Sequence, residues 1–236
     1  MLSRASPLLS FSSDAIIVHE RAYHPQPKRI RRMESRSQRL FFVVQKHKAT
    51  SLHYDFRLEI GGVMPSWSIP KGPTLDNGVR RLAMPTSDHD LEYRHFEGVI
   101  SEASPGSSSV MIWDEGTYVP EVEVSKGIRR EVTAREEAER VASESLIAGN
   151  LKFRLYGKKL NGSFALVRTV GLGGKESWLM IKHKDEYSVQ GYDANDYDVS
   201  AVSGRTLAQI VGQTTIGPSA QGSKAPTSVR ARRKRS

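Results

Sequence analysis

Short runs that alternate, or that are rich in aromatic and β-branched residues, recur through the middle of the chain and constrain its fold more than any other feature. The earliest are Leu40 to Val44, Leu52 to Ile60 and Val63 to Ile69. Such runs predict strands with one buried face. Because Gly61-Gly62 separates the last two runs, we predict that they pair as a hairpin.

The rest of the middle segment repeats this pattern and adds one helical stretch. A turn is predicted at Lys158 to Gly162, where the pair Asn161-Gly162 tolerates positive φ. Arg129 to Ala148 is predicted to be an exposed helix, because it is rich in Glu, Arg and Ala. We expect a mainly β fold, a compact closed or nearly closed β barrel with one or two flanking helices. The further predicted strands are Val110 to Trp113, Lys152 to Tyr156, Ser163 to Val170 and Trp178 to His183.

Length and composition narrow the class of protein. The 236 residues suit one domain with tails rather than two full catalytic domains. The chain has no cysteine, so disulfides and a cysteine nucleophile are excluded and a metal could be held only by nitrogen and oxygen. It has no run of about 18 apolar residues, which excludes a membrane-spanning helix. The formal net charge of +9 suggests an anionic partner.

The positive charge lies at the two ends of the chain. Residues 1–40 hold 8 Lys and Arg against 3 Asp and Glu, residues 205–236 hold 7 against 0, and the segment between them holds 20 against 23. We therefore expect a basic disordered tail over 1–40, a folded domain over 41–200 and a basic low-complexity tail over 201–236. The first tail has the composition of an organelle transit peptide, and Arg230 to Arg235 suits nuclear import. Nucleus, mitochondrion and, in a prokaryote, cytoplasm stay open as compartments.

One predicted strand carries a polar face that can hold a metal ion. Successive side chains of a strand point to opposite faces, so one face is shared by His53, Asp55, Arg57 and Glu59. An imidazole and a carboxylate two residues apart can reach one cation, and His47 in the preceding connection can supply a third ligand. Two imidazoles and a carboxylate suit Mn²⁺, Zn²⁺ or Fe²⁺ and leave positions open for water and substrate.

Two further groups of residues suit phosphate chemistry. Asp88-His89 precedes Tyr93 in a predicted loop, and an imidazole near a phenol can donate a proton to a phosphate ester or stabilise its transition state. Arg57, Lys71 and Arg81 form a set of cations, of which Arg57 adjoins the candidate ligands and could grip two phosphate oxygens. A domain of net negative charge needs such a local cluster to bind phosphate.

Three other interpretations of these residues are open. Each polar residue taken alone fits the solvent face of a half-exposed strand or a surface loop. The His-x-Asp pattern with a distant His89 or His183 is also that of a non-haem Fe²⁺ oxygenase, although His183 lies on the apolar side of its run and suits a structural role. A non-catalytic nucleic-acid-binding barrel is the third alternative. A catalyst would need a divalent metal, whereas a binding module would tolerate a chelator and lose affinity with salt.

A series of longer motifs runs through the middle of the chain in a fixed order. Its members are Phe42 to Glu59, Ser66 to Pro73, Asp88-His89 with Tyr93, Phe96 to Ile100, Ile112 to Tyr118, Leu151 to Gly162 with Leu166 to Arg168, and Trp178 to Tyr187. From about Phe41 to Tyr187 this series resembles the 3′-phosphoesterase family of DNA ligase D. Several long motifs in one order are far more specific than any single triplet.

The resemblance implies a compact β barrel whose groove binds a primer-template end of DNA or RNA. It implies a divalent metal, usually Mn²⁺ with Zn²⁺ or Co²⁺ as alternatives, held by the positions of His47, His53 and Asp55. The residues implied around the phosphate are Arg57, Arg81, His89 and Tyr93, and those in or near the pocket are Gln45 and Lys71. The implied reaction removes a 3′-terminal ribonucleoside and then the 3′-phosphate, leaving a 3′-hydroxyl.

Three segments depart from the family pattern. The Lys-Arg-Asp-Phe segment ahead of the barrel is not matched, Ser87 stands where the family has an acid, and Ser101 to Ser109 replaces a loop that contains Gly and Tyr. Because these segments would position a leaving nucleoside, we expect the phosphomonoesterase step to exceed the diesterase step. The chain has no Lys-x-Asp-Gly adenylation motif, so we expect a stand-alone phosphoesterase, a monomer served by a ligase or polymerase in trans.

Overall fold

Ten antiparallel strands make up most of the fold. The computed structural model describes residues 39–100, 108–171 and 174–212. The helices are α1 (Arg135–Ala148) and α2 (Leu207–Gly212), with 3₁₀ turns at Leu91–His95 and Ala194–Asp196. The strands are β1 (Leu40–Lys48), β2 (Leu52–Leu58), β3 (Val63–Ile69), β4 (Arg80–Asp90), β5 (Gly98–Ile100), β6 (Ser108–Ser125), β7 (Ile128–Glu131), β8 (Asn150–Gly157), β9 (Asn161–Val170) and β10 (Glu176–Lys182).

The first strand closes the sheet into a barrel. The strands follow the order β1-β2-β3-β4-β10-β9-β8-β6, and β1 also pairs with β6. This eight-stranded closed barrel with two helices confirms the expected fold class. The short strands β5 and β7 pair with β6 outside the ring. Closure leaves none of the eight strands with a free edge, which removes the usual site of edge-to-edge aggregation.

Aromatic rings fill the barrel interior. The side chains of Tyr54 and Phe56 on β2 lie in this core, as the alternation of β2 predicts. The Phe153 ring is fully buried and stacks on the rings of Phe56 and Phe164, at centroid distances of 5.8 Å and 6.1 Å. The interior is therefore a packed core, and any functional site must lie on the outside or at the rims of the barrel.

The predicted helix from Arg129 is wrong over its first turns. Ile128–Glu131 forms β7, which pairs with the far end of β6, and α1 begins only at Arg135. Gly127, with a φ of 77°, supplies the left-handed residue of the tight β6–β7 turn. The helix ends at Gly149, whose φ of 78° turns the chain into β8.

Two other predictions fall short of the observed strands. The run predicted from Val110 to Trp113 lies near the start of β6, which is 18 residues long and serves as the pairing partner of four strands. Asp88-His89, predicted in a loop, lies at the end of β4. Most of β4 is exposed and only Ala83 is buried, so its sequence lacks the alternation that marks a half-buried strand.

Glu59, the last polar residue of the β2 face, has a structural role. Its carboxylate accepts a hydrogen bond from the backbone N–H of Phe41 and forms an ion pair with Arg135 at the start of α1. Glu59 is buried, so the pair is shielded from solvent and fixes the helix against the barrel. This residue therefore belongs to the fold rather than to the candidate metal site.

The chain ends predicted as tails are described only in part. The predicted N-terminal tail lies almost wholly outside the described residues, and so does the basic run at Arg230 to Arg235. Within the segment assigned to the C-terminal tail, however, α2 buries Leu207 and Ile210 against the barrel core. Over the described ranges, no helix combines the length and apolar character needed to cross a membrane.

Replacing Phe153 with alanine should destabilise the fold strongly. Deleting a fully buried ring leaves a cavity between its aromatic neighbours, which costs about 3–5 kcal/mol of unfolding free energy. Ile147→Ala is the control, because Ile147 on α1 is 75% exposed and its loss should change stability by no more than about 0.5 kcal/mol. Urea unfolding followed by circular dichroism measures both values. Equal losses in the two variants would contradict this account of the core.

Candidate metal centre

Two neighbouring strands bring three metal-ligating side chains together on the outside of the barrel. His47 lies on β1 and is paired directly with His53 on β2, while Gln45 is paired with Asp55. Because Tyr54 between them points into the core, His53 and Asp55 point outward. The short β1–β2 turn therefore places His47, His53 and Asp55 on one surface.

The distances within this group suit one small divalent cation. Nδ1 of His47 is 3.3 Å from Oδ2 of Asp55, and Nε2 of His53 is 3.5 Å from Oδ1 of Asp55. All three ligand atoms lie within 4.8 Å of one another. Ligands about 2.0–2.2 Å from a metal ion lie roughly 3–3.5 Å apart, so little movement is needed to bind one. Two imidazoles and one carboxylate with open positions are a set used by several transition metals.

Both imidazoles have a hydrogen-bond partner at the nitrogen that does not face Asp55. Nδ1 of His53 donates to the backbone carbonyl of Ser51 over 3.0 Å, which leaves the Nε2 lone pair free for a metal. Nε2 of His47 contacts the hydroxyl of Ser108 at the start of β6. Ser108 was not singled out by the sequence, because no motif connects it with His47.

Asp55 is buried yet held in its charged form. Burial acts to raise the pKa of its carboxyl, but the hydrogen bond with His47 and the charge of Arg57 outweigh it, so the pKa is lowered. Nη2 of Arg57 donates to Oδ2 of Asp55 over 2.9 Å. An ionised carboxylate is the form that binds a cation, so the surroundings of Asp55 favour a ligand role.

The Arg57 guanidinium is the centre of a hydrogen-bond network beside the ligands. Nε donates to the amide oxygen of Gln45 over 2.8 Å, and Nη1 lies 2.9 Å from Nδ1 of His89. Gln45 is fully buried and in turn donates to the carbonyls of Tyr93 and Phe96, each over 3.1 Å. The bonds of Arg57 to Gln45, His89 and Asp55 use three of the five N–H groups of the guanidinium. Two N–H groups are left for other acceptors.

His89 is oriented by Arg57. A guanidinium N–H can only donate, so the contact with Arg57 is a hydrogen bond in the tautomer that carries the His89 proton on Nε2. The carbonyl of Ser87 is also 2.9 Å from Nδ1, and it would accept a hydrogen bond from His89 only in the other tautomer, with the proton on Nδ1. Burial and then the charge of Arg57 lower the pKa of His89, so the ring is neutral at neutral pH.

Tyr93 completes one wall of the site. Its ring lies 4.8 Å from the His89 ring and 5.5 Å from the Phe96 ring, centroid to centroid. The guanidinium carbon of Arg57 lies 5.2 Å from the Tyr93 ring centre, within cation–π range. Tyr93 thus packs against the groups that it was predicted to accompany.

Lys71 and Arg81 are not part of this network. Lys71 is exposed in the turn after β3. Arg81 shares its face of β4 with the buried Ala83, and its Nε is buried with no hydrogen-bond partner among the described residues. Backbone hydrogen bonds, and more weakly the charge of Arg81, lower the pKa of Asp76 and of Asp193. Arg81 lies near the start of β4, where its charge reaches these two acids.

His183 lies in a separate polar cluster. Its Nδ1 is 2.8 Å from the hydroxyl of Ser163 on β9, and that hydroxyl also contacts Glu121. Among the described residues the group that could hold a metal contains His47 as its second imidazole, rather than His183 or His89. The predicted oxygenase triads through His89 or His183 are therefore not assembled. Burial, and then the charges of Arg129 and Lys152, lower the pKa of His183 to about 4.

This pKa predicts a pH dependence of stability. The unfolded chain binds a proton on His183 near its ordinary pKa of 6.5 and the folded protein only near 4, so the free energy of unfolding should fall as pH drops from 6.5 to about 4. The half-exposed ring limits the effect to about 1–2 kcal/mol. We expect His183→Gln, which cannot titrate, to show a shallower decline in chemical unfolding over this range. Parallel profiles for the two proteins would contradict the assignment.

Comparison with known proteins yields one consistent family. Residues 45–168 match the family model of the DNA ligase D 3′-phosphoesterase domain. The chain is 36% identical over 186 residues to the multifunctional non-homologous end joining protein LigD of Pseudomonas aeruginosa. The aligned residues cover 78% of this chain and 20% of that protein. It is 36% identical over 145 residues to the multifunctional non-homologous end joining DNA repair protein LigD of Mycobacterium tuberculosis, covering 61% of this chain and 16% of that one.

A third relative gives the same picture. The LigD protein of Mycolicibacterium smegmatis is 32% identical over 169 residues, which cover 72% of this chain and 20% of that protein. The chain spans about a fifth of the length of these curated relatives. The family match includes every residue of the candidate centre, from Gln45 through Ser108.

Proposed function

The chain belongs to the DNA ligase D 3′-phosphoesterase domain family, and we propose on that basis that it is a divalent-metal-dependent phosphoesterase that restores a 3′-hydroxyl at blocked ends of DNA or RNA. The observation that carries the proposal is the group of His47, His53 and Asp55, with Arg57 bonded directly to its carboxylate. Family membership supports the processing of DNA ends in repair. The metal and the specific reaction are the finer parts of the proposal.

The donor set fits a divalent cation, with Mn²⁺ proposed as the metal and Zn²⁺ or Co²⁺ as alternatives. His47, His53 and Asp55 would hold it through two nitrogens and a carboxylate. A cation bound there would supply Lewis-acid stabilisation of the phosphate and a water of lowered pKa. The ionised state of Asp55 and the hydrogen bond from His53 to Ser51 support this assignment, since both prepare ligand atoms.

We propose that Arg57 works mainly by orientation. Its side chain is only 3% exposed, and two of its three contacts hold the carboxylate of Asp55 and the ring of His89. The remaining N–H on each Nη nitrogen is available to a phosphate oxygen at the edge of the guanidinium. This role is narrower than a free two-pronged clamp, because the guanidinium is already bonded on three sides.

His89 is the proposed group that meets the phosphate. With Nδ1 occupied by Arg57, its Nε2–H can donate a hydrogen bond to a phosphoryl oxygen as negative charge develops there. Its lowered pKa favours this neutral donor over a protonated general acid. Tyr93 would hold the ring in place by packing against it. Lys71 and Arg81 are proposed as substrate contacts at the periphery of the site, and Gln45 as a support of Arg57.

The partners follow from the family and remain proposals. The relatives named above are non-homologous end joining proteins, of which this chain resembles about a fifth. We propose that the chain prepares 3′ ends of a primer-template for a ligase or polymerase acting in trans, and that it does so as a monomer. The two basic ends of the sequence, which hold 15 Lys and Arg against 3 Asp and Glu, would add electrostatic affinity for nucleic acid.

Asp55→Ala should remove both metal binding and phosphate release. Loss of a direct ligand should reduce turnover of a 3′-phosphate oligonucleotide by more than the roughly 10–100-fold cost of losing an outer partner. Asp196→Ala is a matched control, since Asp196 is an exposed aspartate of a 3₁₀ turn outside the candidate centre. Calorimetry with Mn²⁺ and a phosphate-release assay measure the two effects.

The same assay separates catalysis from simple binding. EDTA should stop phosphate release by the unmodified protein, and added Mn²⁺ should restore it. Unchanged Mn²⁺ affinity in Asp55→Ala would show that the ligand set is wrong. Retained oligonucleotide binding without turnover, in the presence of metal, would favour the non-catalytic barrel.

The phosphomonoesterase reaction should be faster than ribonucleoside removal. Releasing a nucleoside requires its sugar and base to be positioned, and small misplacement can cost on the order of 100-fold in rate. The segments expected to position the nucleoside depart from the family pattern. Of these segments, Ser87 is exposed and lies two residues before His89, and residues 101–107 lie outside the described residues. Single-turnover rates on one primer, ending either in a 3′-phosphate or in one ribonucleotide, decide between the steps. Equal rates would refute this preference.

A further inference from the structure

Ser108 contacts the candidate ligand His47 from the end of the loop that departs from the family pattern. Its hydroxyl lies within hydrogen-bonding distance of Nε2 of His47, on the side of the ring away from Asp55. The opposite nitrogen, Nδ1, faces the Asp55 carboxylate at 3.3 Å. The two ring nitrogens therefore have different neighbours, and only Nδ1 points into the candidate metal centre.

We propose that Ser108 is a positioning residue that accepts a hydrogen bond from Nε2–H of His47 and so reserves the Nδ1 lone pair for the metal. A neutral imidazole carries one proton, and whichever nitrogen is held as a donor decides which nitrogen can be a ligand. Partners of this kind commonly orient metal-bound histidines. The inference rests on the proposed metal-dependent function.

Strand pairing holds the Ser108 hydroxyl in place. Ser108 opens β6, where it pairs with Ile100 of β5, and the residues that follow it pair with β1. His47 is registered with Val110, two residues further along the same strand. The backbones of His47 and of Ser108 therefore both belong to the sheet, and this limits how far the hydroxyl can move from the ring.

Ser109 provides a natural comparison within the same strand. It pairs with Lys48 and is buried, but it lines a cavity of about 500 Å³ together with Lys46 and Leu207. Because successive residues of a strand point to opposite faces, its hydroxyl lies away from His47. Ser108 and Ser109 thus differ in that only the Ser108 hydroxyl reaches the His47 ring.

The two candidate histidines are supported in different ways. His53 donates from Nδ1 to the backbone carbonyl of Ser51, a partner that no side-chain replacement removes. His47 depends instead on a side-chain hydroxyl. Of the outer-partner bonds to the two histidines, the Ser108 contact is therefore the one that a side-chain replacement can delete without altering any of the three ligands.

The test measures metal affinity of the full chain rather than turnover. Isothermal calorimetry with Mn²⁺ and with Zn²⁺ compares the unmodified protein with Ser108→Ala, Ser108→Thr and Ser109→Ala. We expect Ser108→Ala to bind about 10–100-fold more weakly, while Ser108→Thr, which keeps a hydroxyl, and Ser109→Ala stay within about threefold of the unmodified protein. Metal-free thermal unfolding should be unchanged in Ser108→Ala, which separates a positioning effect from loss of the fold.

A second readout follows the imidazole itself. In the zinc-bound protein, ¹⁵N spectra of labelled histidine should show His47 with a proton on Nε2 and zinc on Nδ1, and Ser108→Ala should show a mixture of the two arrangements. Equal affinities in the unmodified protein and Ser108→Ala, or zinc on Nε2 in the unmodified protein, would overturn the role of Ser108 alone. Failure of the unmodified protein to bind either metal would overturn the proposed function as well.

Discussion

The pairing of β1 with β2 on one side and β6 on the other is the interaction on which the rest of the structure depends. It closes the barrel, so the aromatic core is enclosed and no edge is left along the ring. The same registers set His47 opposite His53 and bring the start of β6 against the His47 ring. Closure of the barrel and the arrangement of the candidate centre therefore depend on the same strand pairings.

Two ion pairs with a buried carboxylate, one on β2 and one just after it, have different consequences. Glu59 with Arg135 joins the barrel to a helix. Asp55 with Arg57 lies among the candidate ligands and continues through hydrogen bonds to Gln45 and His89. Burying charges costs desolvation energy, so a buried pair is weak evidence for stability. The position of the second pair is better explained by the need for an ionised ligand and an oriented imidazole.

The sequence predicted the fold class because some barrel strands alternate apolar and polar residues, as in β2 and β8, and others are short aromatic or β-branched runs, as in β1. The prediction from sequence failed for strands that are held by pairing with other strands rather than by burial of one face. β4 is largely exposed and is held by pairing with β3 and β10, and β7 exists because a long β6 offers a partner beyond the barrel. Pairing with a distant strand leaves little local trace in composition, so these two elements were missed or assigned to a helix.

For the site, the sequence by itself indicated His47, His53 and Asp55 as a group, because alternation sets the face of His53 and Asp55 and His47 is close to them in the chain. It placed His47 in a connection, whereas the structure places it on β1, paired with His53. Only the tertiary structure decided which distant residues meet this group. It brought His89 and Tyr93 to Arg57 and Ser108 to His47. The physical reason is that such contacts depend on the register between strands far apart in the chain, which no local pattern encodes.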